Sequence, residues 1–431
     1  MVENDGVGYF SFLHTLFHDH DLDFSDEYQA ALDQHVGVYP TLIDVRTPTG
    51  LVANFFPVGP ALLSAPGYLL ALLLRPSGEP QYGIPFATAF ALASLLFGLL
   101  ALALSWILAR RVAGEGPAAV AVVAVALATP FVYYLLYEPS YSHTFSAFAV
   151  GAFLLAWWRG RENRTAAGWL LLGLLGGLMA LVRWQDGPLL AIALLDLPKA
   201  RWRVLLLAPG ALLALAPQLA VDRVLFGTWL PVRPAGQDLE LWPGHYLQVL
   251  FASHHGLLVW SPVLIAAAAG YAFIRSNALR LAFAYALLVE TIINGAAPDW
   301  WGGFAFGARR FLDLTPFFAL GLAALAARVR PAWAWAAIAV LAAWNLVLMA
   351  NFTYVIASDR DVGYLGLVAG QLPALGYLPR LFVQGEAVRA LVAWPVLHRA
   401  FDPLWGLSLL LLQAACLAAA AWAAGFRPRR A

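Results

Sequence analysis

The N-terminal stretch Glu3-Asn4-Asp5-Gly6-Val7-Gly8-Tyr9 puts an acid and two glycines on a polar segment that runs to about Asn54. Almost everything after that segment is apolar and occurs in runs of membrane-spanning length. A chain this apolar that keeps a long polar segment at one end is typical of a protein that performs chemistry at a membrane surface. Asp5 is therefore the first candidate for a catalytic residue.

Composition indicates an all-α integral membrane protein. The chain has 431 residues, of which 61% are hydrophobic and 12% charged, and its mean hydropathy is +0.72. Soluble domains carry about 25% charged residues. A net charge of +1 predicts no recruitment of nucleic acid. The single cysteine, Cys416, excludes a disulfide within the chain.

About 20 apolar residues are needed for a helix to cross the hydrocarbon core of a bilayer. The sequence predicts eleven spans, at 84–109, 117–136, 143–158, 166–183, 186–197, 204–222, 257–274, 278–295, 311–327, 332–350 and 403–425. The 186–197 run is short, which predicts a broken or tilted helix. The apolar run 55–74 contains three prolines, so we assign it to a broken interfacial helix on the outer leaflet rather than to a span.

Basic residues fall on every second connection between these spans, and the positive-inside rule makes that side cytoplasmic. The clusters are Arg110-Arg111; Arg159, Arg161 and Arg164; Lys199, Arg201 and Arg203; Arg275 and Arg280; Arg328 and Arg330; and Arg427, Arg429 and Arg430. The C-terminus is then cytoplasmic, and the connections that hold most of the acids and histidines face outside. Nothing hydrophobic precedes the first outer segment, which predicts a further transmembrane helix before Met1.

This layout divides the chain into four parts. Residues 1–83 form an outer first loop with the interfacial helix, and residues 84–350 form the transmembrane catalytic core. Residues 351–402 form a second outer loop with an amphipathic helix over 378–394, and residues 403–431 form the last transmembrane helix with a basic tail.

Four separated clusters of polar residues map to the same outer face as Asp5. They contain Glu138 and His143; Arg183, Trp184, Gln185 and Asp186; His254 and His255; and Asp299, Trp300, Trp301, Arg309 and Arg310. Polar groups at membrane depth are costly, so their convergence on one face predicts a shared site. We expect Tyr9 to line this site together with the tryptophans, the two adjacent histidines, Gln185, Asp186 and Asp299.

Each cluster also has a purely structural interpretation. Arginines can anchor helix ends, tryptophans can belong to the aromatic belt of the membrane interface, and histidines or Glu138 can cap helix ends and turns. The run His18-Asp19-His20-Asp21-Leu22-Asp23 resembles a metal-ligand cluster but lacks a recognisable spacing, so we expect a solvated acidic loop there. A divalent metal stays open, and no other cofactor is indicated.

The chemistry that these residue types support is transfer from a lipid phosphate. A partly desolvated acid can act as general base for a hydroxyl nucleophile. Arginines grip a phosphate with two parallel hydrogen bonds and stabilise it as a leaving group. Tryptophan faces suit a sugar ring or a prenyl chain, and glycines at positions 302, 303 and 307 allow close approach to a bulky ligand.

Together these motifs resemble the GT-C superfamily of multi-pass glycosyltransferases, whose members include protein O-mannosyltransferases and aminoarabinose transferases. The matching motifs are Asn4-Asp5-Gly6, Phe56-Pro57-Val58-Gly59-Pro60, Arg110-Arg111, Glu138-Pro139-Ser140 with His143, Arg183, and Trp301-Gly302-Gly303 with Arg309. The resemblance covers roughly residues 3–330, and it rests on the order of these motifs along the chain and on the side of the membrane to which each is assigned.

The resemblance implies an inverting transfer of a sugar from a polyprenyl-phosphate donor on the outer face of a bacterial inner membrane. Asp5 would deprotonate the acceptor hydroxyl, and Glu138 would be a second acid near the acceptor or a metal. Arg183, Arg309 and Arg310, with His143, would hold the lipid phosphate. The acceptor is a glycan, a lipid or a protein, and the lack of a large C-terminal soluble domain favours a small or lipid-linked one.

Two other functions fit the same composition. A transporter or flippase of lipid-linked glycans would place ionisable residues at mid-membrane on broken helices. A polymerase or ligase of the O-antigen type would need a large late outer loop rich in arginine and histidine, and the 351–402 loop carries Arg360, Arg380, Arg389, His398 and Arg399.

Overall fold

The chain is mainly helical in the part that the computed structural model describes, which comprises residues 2, 4–37, 43–74, 80–234 and 238–385. Its β-type pairing is limited, within those residues, to an isolated bridge between Arg46 and Val52. The predicted all-α class is therefore confirmed. The predicted span at 403–425 lies outside the described residues, as does most of the predicted amphipathic helix at 378–394, of which Leu378–Gln384 is helical.

The main helices pack side by side. In chain order they are α1 (Asp5–His14), α2 (Ser25–Asp33), α3 (Gly59–Leu74), α4 (Ile84–Ala113), α5 (Glu115–Leu127), α6 (His143–Gly160), α7 (Ala166–Val182), α8 (Leu207–Phe226), α9 (Val263–Gly270), α10 (Asn277–Gly295), α11 (Thr315–Ala326) and α12 (Pro331–Ala350). Helix α4 contacts α3, α5, α6 and α11, whereas α7 contacts α6 and α8. Shorter π-helical and 3-10 segments lie between them.

The N-terminal segment, which we predicted as part of an outer connection between membrane spans, has helical structure of its own. It folds into α1 and α2, and α1 packs against α3 and α2. Four of its apolar side chains are fully buried, namely Val7, Phe10, Phe12 and Leu13. Burial of these side chains stabilises a helix where the polar neighbours had suggested a loop. The run that we predicted as a broken interfacial helix is helical as α3, and α3 continues through Pro66 instead of breaking there.

The predicted count of eleven spans is not confirmed. Among the described residues, four helical stretches are long and apolar enough to cross a membrane: Ile84–Ala113, Trp184–Phe226, Asn277–Gly295 and Pro331–Ile356. Prolines shorten other predicted spans, because proline cannot donate the backbone hydrogen bond that a helix requires. The predicted span 117–136 ends as α5 at Leu127, ahead of Pro130, and the predicted span 257–274 is interrupted before Pro262.

The stretch Trp184–Phe226 folds back on itself. It therefore contains two separate segments, which correspond to the predicted spans 186–197 and 204–222. Its first piece, the 3-10 segment Trp184–Asp196, runs antiparallel to α7, because Gly187 lies against Ala180 and Leu190 lies against Gly176. Its second piece, α8, runs parallel to α7. There Leu207 lies against Gly173, and Ala211 lies against Gly177. The reversal falls at residues 197–206, where the predicted cytoplasmic basic cluster lies.

Basic residues from separate predicted clusters meet at one end of the bundle. Arg111, Arg275 and Arg328 line a cavity of about 430 Å³. His143 and Trp158 lie near opposite ends of α6, whose 18 residues make a helix about 27 Å long. Because Trp158 lines the arginine cavity, the His143 end of α6 lies at the other end of the bundle.

The crossing of α7 over α8 depends on glycine. A Cβ at Gly177 would press against the carbonyl oxygen of Ala211 in α8, so only a residue without a side chain lets the two backbones approach this closely. We expect Gly177→Ala to lower the free energy of unfolding in detergent by about 1–3 kcal/mol, as overpacking does. Thermal unfolding of the purified protein followed by circular dichroism measures this change.

Gly116→Ala is the matched control, because a Cβ at Gly116 in α5 would meet no atom within 4 Å. This control should change stability by less than about 1 kcal/mol. Equal midpoints for Gly177→Ala and the wild type would contradict the close crossing.

Candidate active site

Helix α1 carries Asp5 and lies against the segment that follows Glu138. A Cβ at Gly6 would press against Ser140, and a Cβ at Gly8 would press against the ring of Phe56. The two glycines after Asp5 are therefore positions where α1 approaches its neighbours too closely for a side chain. Asn54 secures the same contact, since its Nδ2 donates to the Gly8 carbonyl oxygen at 2.9 Å.

The Asp5 carboxylate forms an ion pair with Arg309. Arg309 Nη1 lies 2.7 Å from Asp5 Oδ2, and Arg309 Nη2 donates to the Gly302 carbonyl oxygen at 3.0 Å. The guanidinium also lies over the Tyr141 ring, 4.8 Å from its centroid. These contacts bring three of the predicted clusters together, and they hold one oxygen of Asp5 in place.

A cavity of about 250 Å³ opens beside this ion pair. Six of the residues predicted for the site line it, namely Tyr9, Arg183, Trp184, Gln185, Asp299 and Arg310; the other lining residues are Pro57, Arg233, Leu239, Ile293, Asn294 and Ala297. Three arginines and one aspartate line it, so the lining has more cationic than anionic side chains. Arg310 Nη2 pairs with Asp299 Oδ2 at 2.5 Å.

Arg183 is oriented by hydrogen bonds at the helix ends. Its Nη1 contacts His143 Nδ1, and its Nη2 donates to Gln185 Oε1 at 2.6 Å. Gln185 Nε2 in turn donates to Glu290 Oε2 and to the Arg310 carbonyl oxygen, each at 2.9 Å. His143, which we predicted to help hold the lipid phosphate, is buried and does not line the cavity, but it contacts Arg183, which does.

Asp186 does not line the cavity, contrary to our prediction. It is wholly buried, accepts a hydrogen bond from Ser146 Oγ at 2.5 Å, and lies with Glu290 and Asp313 in a group of three buried carboxylates whose oxygens fall within 4.8 Å of one another. This group lies directly behind Gln185, because Gln185 contacts Glu290. The 3-10 segment that begins at Trp184 turns Trp184 and Gln185 toward the cavity and Asp186 away from it.

The predicted residues His254, His255, Trp300 and Trp301 form an aromatic group next to the cavity. His254 stacks on Trp301 with centroids 5.4 Å apart, and His255 Nδ1 lies 2.8 Å from the Trp301 carbonyl oxygen. Trp300, Trp301 and His255 line a smaller neighbouring cavity that also reaches Arg309. Burial lowers the pKa of His255 to about 4, so its ring is neutral at pH 7 and donates to that carbonyl.

Glu138 lies among tyrosines next to the Asp5 segment. Its backbone N–H donates to the Tyr133 carbonyl oxygen at 2.9 Å, which closes the π-helical turn Tyr133–Tyr137. Three residues later, Tyr141 stacks under Arg309. Glu138 therefore belongs to the same end of the bundle as Asp5, Arg183 and Arg309.

Several polar residues of this region were missed in the sequence. Glu290 and Asp313 are acids within the predicted apolar spans 278–295 and 311–327, and an ionisable residue in such a run is itself a signal of function. Arg233 had no comparable signal, because it lies in a long polar connection. Asp359, which accepts hydrogen bonds from Trp301 Nε1 at 3.1 Å, lies in the second predicted outer loop.

No family model matches this sequence, and no curated protein matches it either. Two solved structures resemble the chain. ArnT from Cupriavidus metallidurans in the apo state is 17% identical with a TM-score of 0.45, over 90% of this chain and 73% of that one. The apo oligosaccharyltransferase from Archaeoglobus fulgidus is 15% identical with a TM-score of 0.42, over 90% of this chain.

The chain spans about half the length of the oligosaccharyltransferase, of which it covers 52%. At these TM-scores neither likeness carries a residue role, so the roles below are argued from the contacts of this chain.

The buried, neutral His255 makes stability depend on pH. An unfolded histidine takes up a proton near pH 6.5, whereas folded His255 does so near pH 4. Stability is therefore lost as pH falls from about 6.5 to about 4, by about 3 kcal/mol at most. We expect His255→Asn, which keeps a donor and tolerates the positive φ of 59° at this position, to flatten the dependence of the unfolding midpoint on pH.

His35→Asn is the control, because His35 also has a positive φ, of 54°, but is exposed. That variant should keep the wild-type pH dependence. The same slope in all three proteins would argue against a buried neutral His255.

Proposed function

We propose that this protein is a membrane glycosyltransferase that moves a sugar from a polyprenyl-phosphate donor to an acceptor hydroxyl. The observation that carries the proposal is the arginine-lined cavity beside the Asp5–Arg309 ion pair. The reaction requires a grip on an anionic leaving group and a carboxylate that takes a proton. The arginines of the cavity offer the first, and Asp5, which does not line the cavity but lies one helical turn before its lining residue Tyr9, offers the second.

The lipid phosphate would lie against Arg183 and Arg310. A guanidinium binds a phosphate through paired, charge-assisted hydrogen bonds, and here Gln185 fixes the orientation of Arg183. The apolar wall of the cavity, with Pro57, Leu239 and the face of Trp184, suits the sugar and the first part of a prenyl chain. Arg309 does not line this cavity; we propose that it positions Asp5.

The acceptor hydroxyl oxygen would attack the anomeric carbon from the side opposite the phosphate. The bond between that carbon and the phosphate oxygen breaks, and the departing oxygen keeps the electron pair as polyprenyl phosphate. Asp5 takes the hydroxyl proton through the oxygen that Arg309 does not hold. Attack opposite the leaving group inverts the anomeric centre.

Side chains alone carry these steps, and the Asp5 carboxylate is engaged by the Arg309 guanidinium. Glu138 lies at the same end of the bundle, and we propose that it binds the acceptor. The site would then face the outer side of a bacterial inner membrane, opposite the arginine cavity at residues 111, 275 and 328.

A transport function is less well supported by this geometry. A transporter places ionisable groups near the bilayer midplane. The buried carboxylates that most resemble such mid-membrane groups are Asp186, Glu290 and Asp313. These three residues lie close to helix ends instead. Glu290 is five residues before the end of α10, which corresponds to about 8 Å along the helix axis.

Asp5→Asn tests the general base. The substitution keeps the size of the side chain but removes proton uptake, so release of polyprenyl phosphate from a panel of polyprenyl-phosphate sugars should fall by about 100-fold or more. Asp44→Asn, at an exposed position, is the control and should leave transfer unchanged. Normal transfer by Asp5→Asn would remove Asp5 from the mechanism.

Arg183→Gln tests the phosphate grip. Loss of a charge-assisted contact should weaken binding of polyprenyl phosphate by about tenfold or more, as measured by titration in detergent micelles. Arg46→Gln, at an exposed position away from the cavity, should bind as the wild type does. Unchanged affinity in Arg183→Gln would place the lipid phosphate elsewhere.

A further inference from the structure

The arginine cavity lies at the opposite end of the bundle from the candidate active site. Arg111 comes from the last turn of α4, Arg275 from the connection between α9 and α10, and Arg328 from the residues that follow α11. The three side chains belong to three separate basic clusters of the sequence, and all three residues are exposed. Packing of the helices therefore gathers charges that are far apart along the chain around one space.

The positive charge of this cavity is not balanced by acids of the lining. The residues that line it include no aspartate and no glutamate. Two acids at the same end of the bundle pair with other basic residues: Asp196 pairs with Arg161 and Arg164, and Glu162 pairs with Lys199. Cationic groups that line a cleft of one sign attract anions to it.

Neighbouring groups hold the wall of the cavity in place. The guanidinium carbon of Arg328 lies over the Phe273 ring, 5.2 Å from its centroid. Arg280 Nε donates to the Ile274 carbonyl oxygen at 2.5 Å, which ties the connection that carries Arg275 to α10. The backbone around Arg275 is thus fixed before any ligand binds, and a fixed site loses less entropy on binding than a mobile one.

The surfaces between the arginines are apolar. They include Val112 of α4, Leu279 of α10 and Ala324 of α11, and Trp158 adds an aromatic surface. The cavity volume of about 430 Å³ falls in the range of about 300–1,000 Å³ that is usual for sites of small molecules. Guanidinium groups bind phosphate oxygens through paired hydrogen bonds. The lining therefore fits a ligand that joins a phosphate to an apolar part.

The depth of the cavity identifies the source of such a ligand. Arg111 lies in the last turn of Ile84–Ala113, which is long and apolar enough to cross a membrane, so the cavity lies where such a helix meets the lipid headgroups. The positive-inside rule assigns this end to the cytoplasm. Basic pockets between helices on that side of membrane proteins bind the headgroups of anionic lipids.

We propose that the arginine cavity binds the phosphodiester of one anionic phospholipid, such as phosphatidylglycerol. Arg111, Arg275 and Arg328 contact the phosphate oxygens, and the apolar wall contacts the glycerol and the first part of the acyl chains. The bound lipid offsets the repulsion among the three guanidinium groups and links α4, α10 and α11 at this end of the bundle. This site goes beyond the proposed function, because it is separate from the candidate active site.

Lipid titration of the full-length protein tests this proposal. After lipid is removed in a neutral detergent, phosphatidylglycerol should raise the unfolding midpoint, and native mass spectrometry should detect one tightly bound lipid per chain. Arg275→Gln should weaken the affinity by about tenfold or more, because it removes a charge-assisted contact with the phosphate. Arg275 is exposed, so this substitution leaves the core intact.

Arg330→Gln is the matched control, because Arg330 is also exposed, lies two residues after Arg328 and does not line the cavity. It removes the same charge from the same end of the bundle and should keep the wild-type affinity. An equal loss of affinity in both variants would mean that a diffuse basic surface attracts the lipid, and it would overturn the proposal.

Two further titrations distinguish the possible ligands. Phosphatidylcholine, whose headgroup has no net charge, should bind at least about tenfold more weakly than phosphatidylglycerol; equal affinity would show that acyl chains alone bind, and would overturn the proposal. Inorganic phosphate at the same concentration should leave the unfolding midpoint unchanged. Equal stabilisation by phosphate would assign the cavity to a soluble anion instead of a lipid. These measurements do not involve sugar transfer, so their failure leaves the proposed function untouched.

Discussion

The ion pair between Asp5 and Arg309 joins positions 304 residues apart in the chain. Both side chains are largely removed from solvent, where an unpaired charge is costly. Pairing requires the first helix to pack against the loop that holds Gly302, and Tyr141 then covers the guanidinium. The position of α1 therefore follows from charge as much as from its buried apolar side chains.

Irregular backbone is concentrated at the same end of the bundle. Four irregular segments lie near the aromatic and polar groups of the site. They are the turn Tyr133–Tyr137, the break before Pro262, the 3-10 segment Arg309–Leu314 and the turn Asn351–Ile356. Backbone that leaves a regular helix must satisfy its polar groups within protein or water. Polar groups of the site can therefore satisfy the backbone of the broken helices. Elsewhere, glycine contacts such as that of Gly177 with Ala211 let the regular helices pack closely.

The sequence predicted the helical class and most helix positions, because long apolar runs bounded by arginine clusters can form little else in a membrane. It also indicated which polar clusters share a face. The run 18–23, which predicted a solvated acidic loop, is exposed at His18, His20 and Asp21, whereas Phe10, Phe12 and Leu13 of the preceding helix lie in the core. The sequence was misled where the local backbone decides which of several neighbouring polar residues faces the cavity. Asp186 was assigned to the cavity because its neighbours line it, but the 3-10 backbone turns it inward.

Composition and spacing by themselves determined that the chain is a bundle of apolar helices whose polar clusters gather at one end, since these properties depend only on hydrophobicity and on the order of charges. Only the tertiary structure decided which charge meets which: that Asp5 pairs with Arg309, that Arg310 pairs with Asp299, and that Glu27 is buried against His14. The reason is physical. A pairing between distant segments depends on how whole helices pack, and no local pattern of residues contains that information.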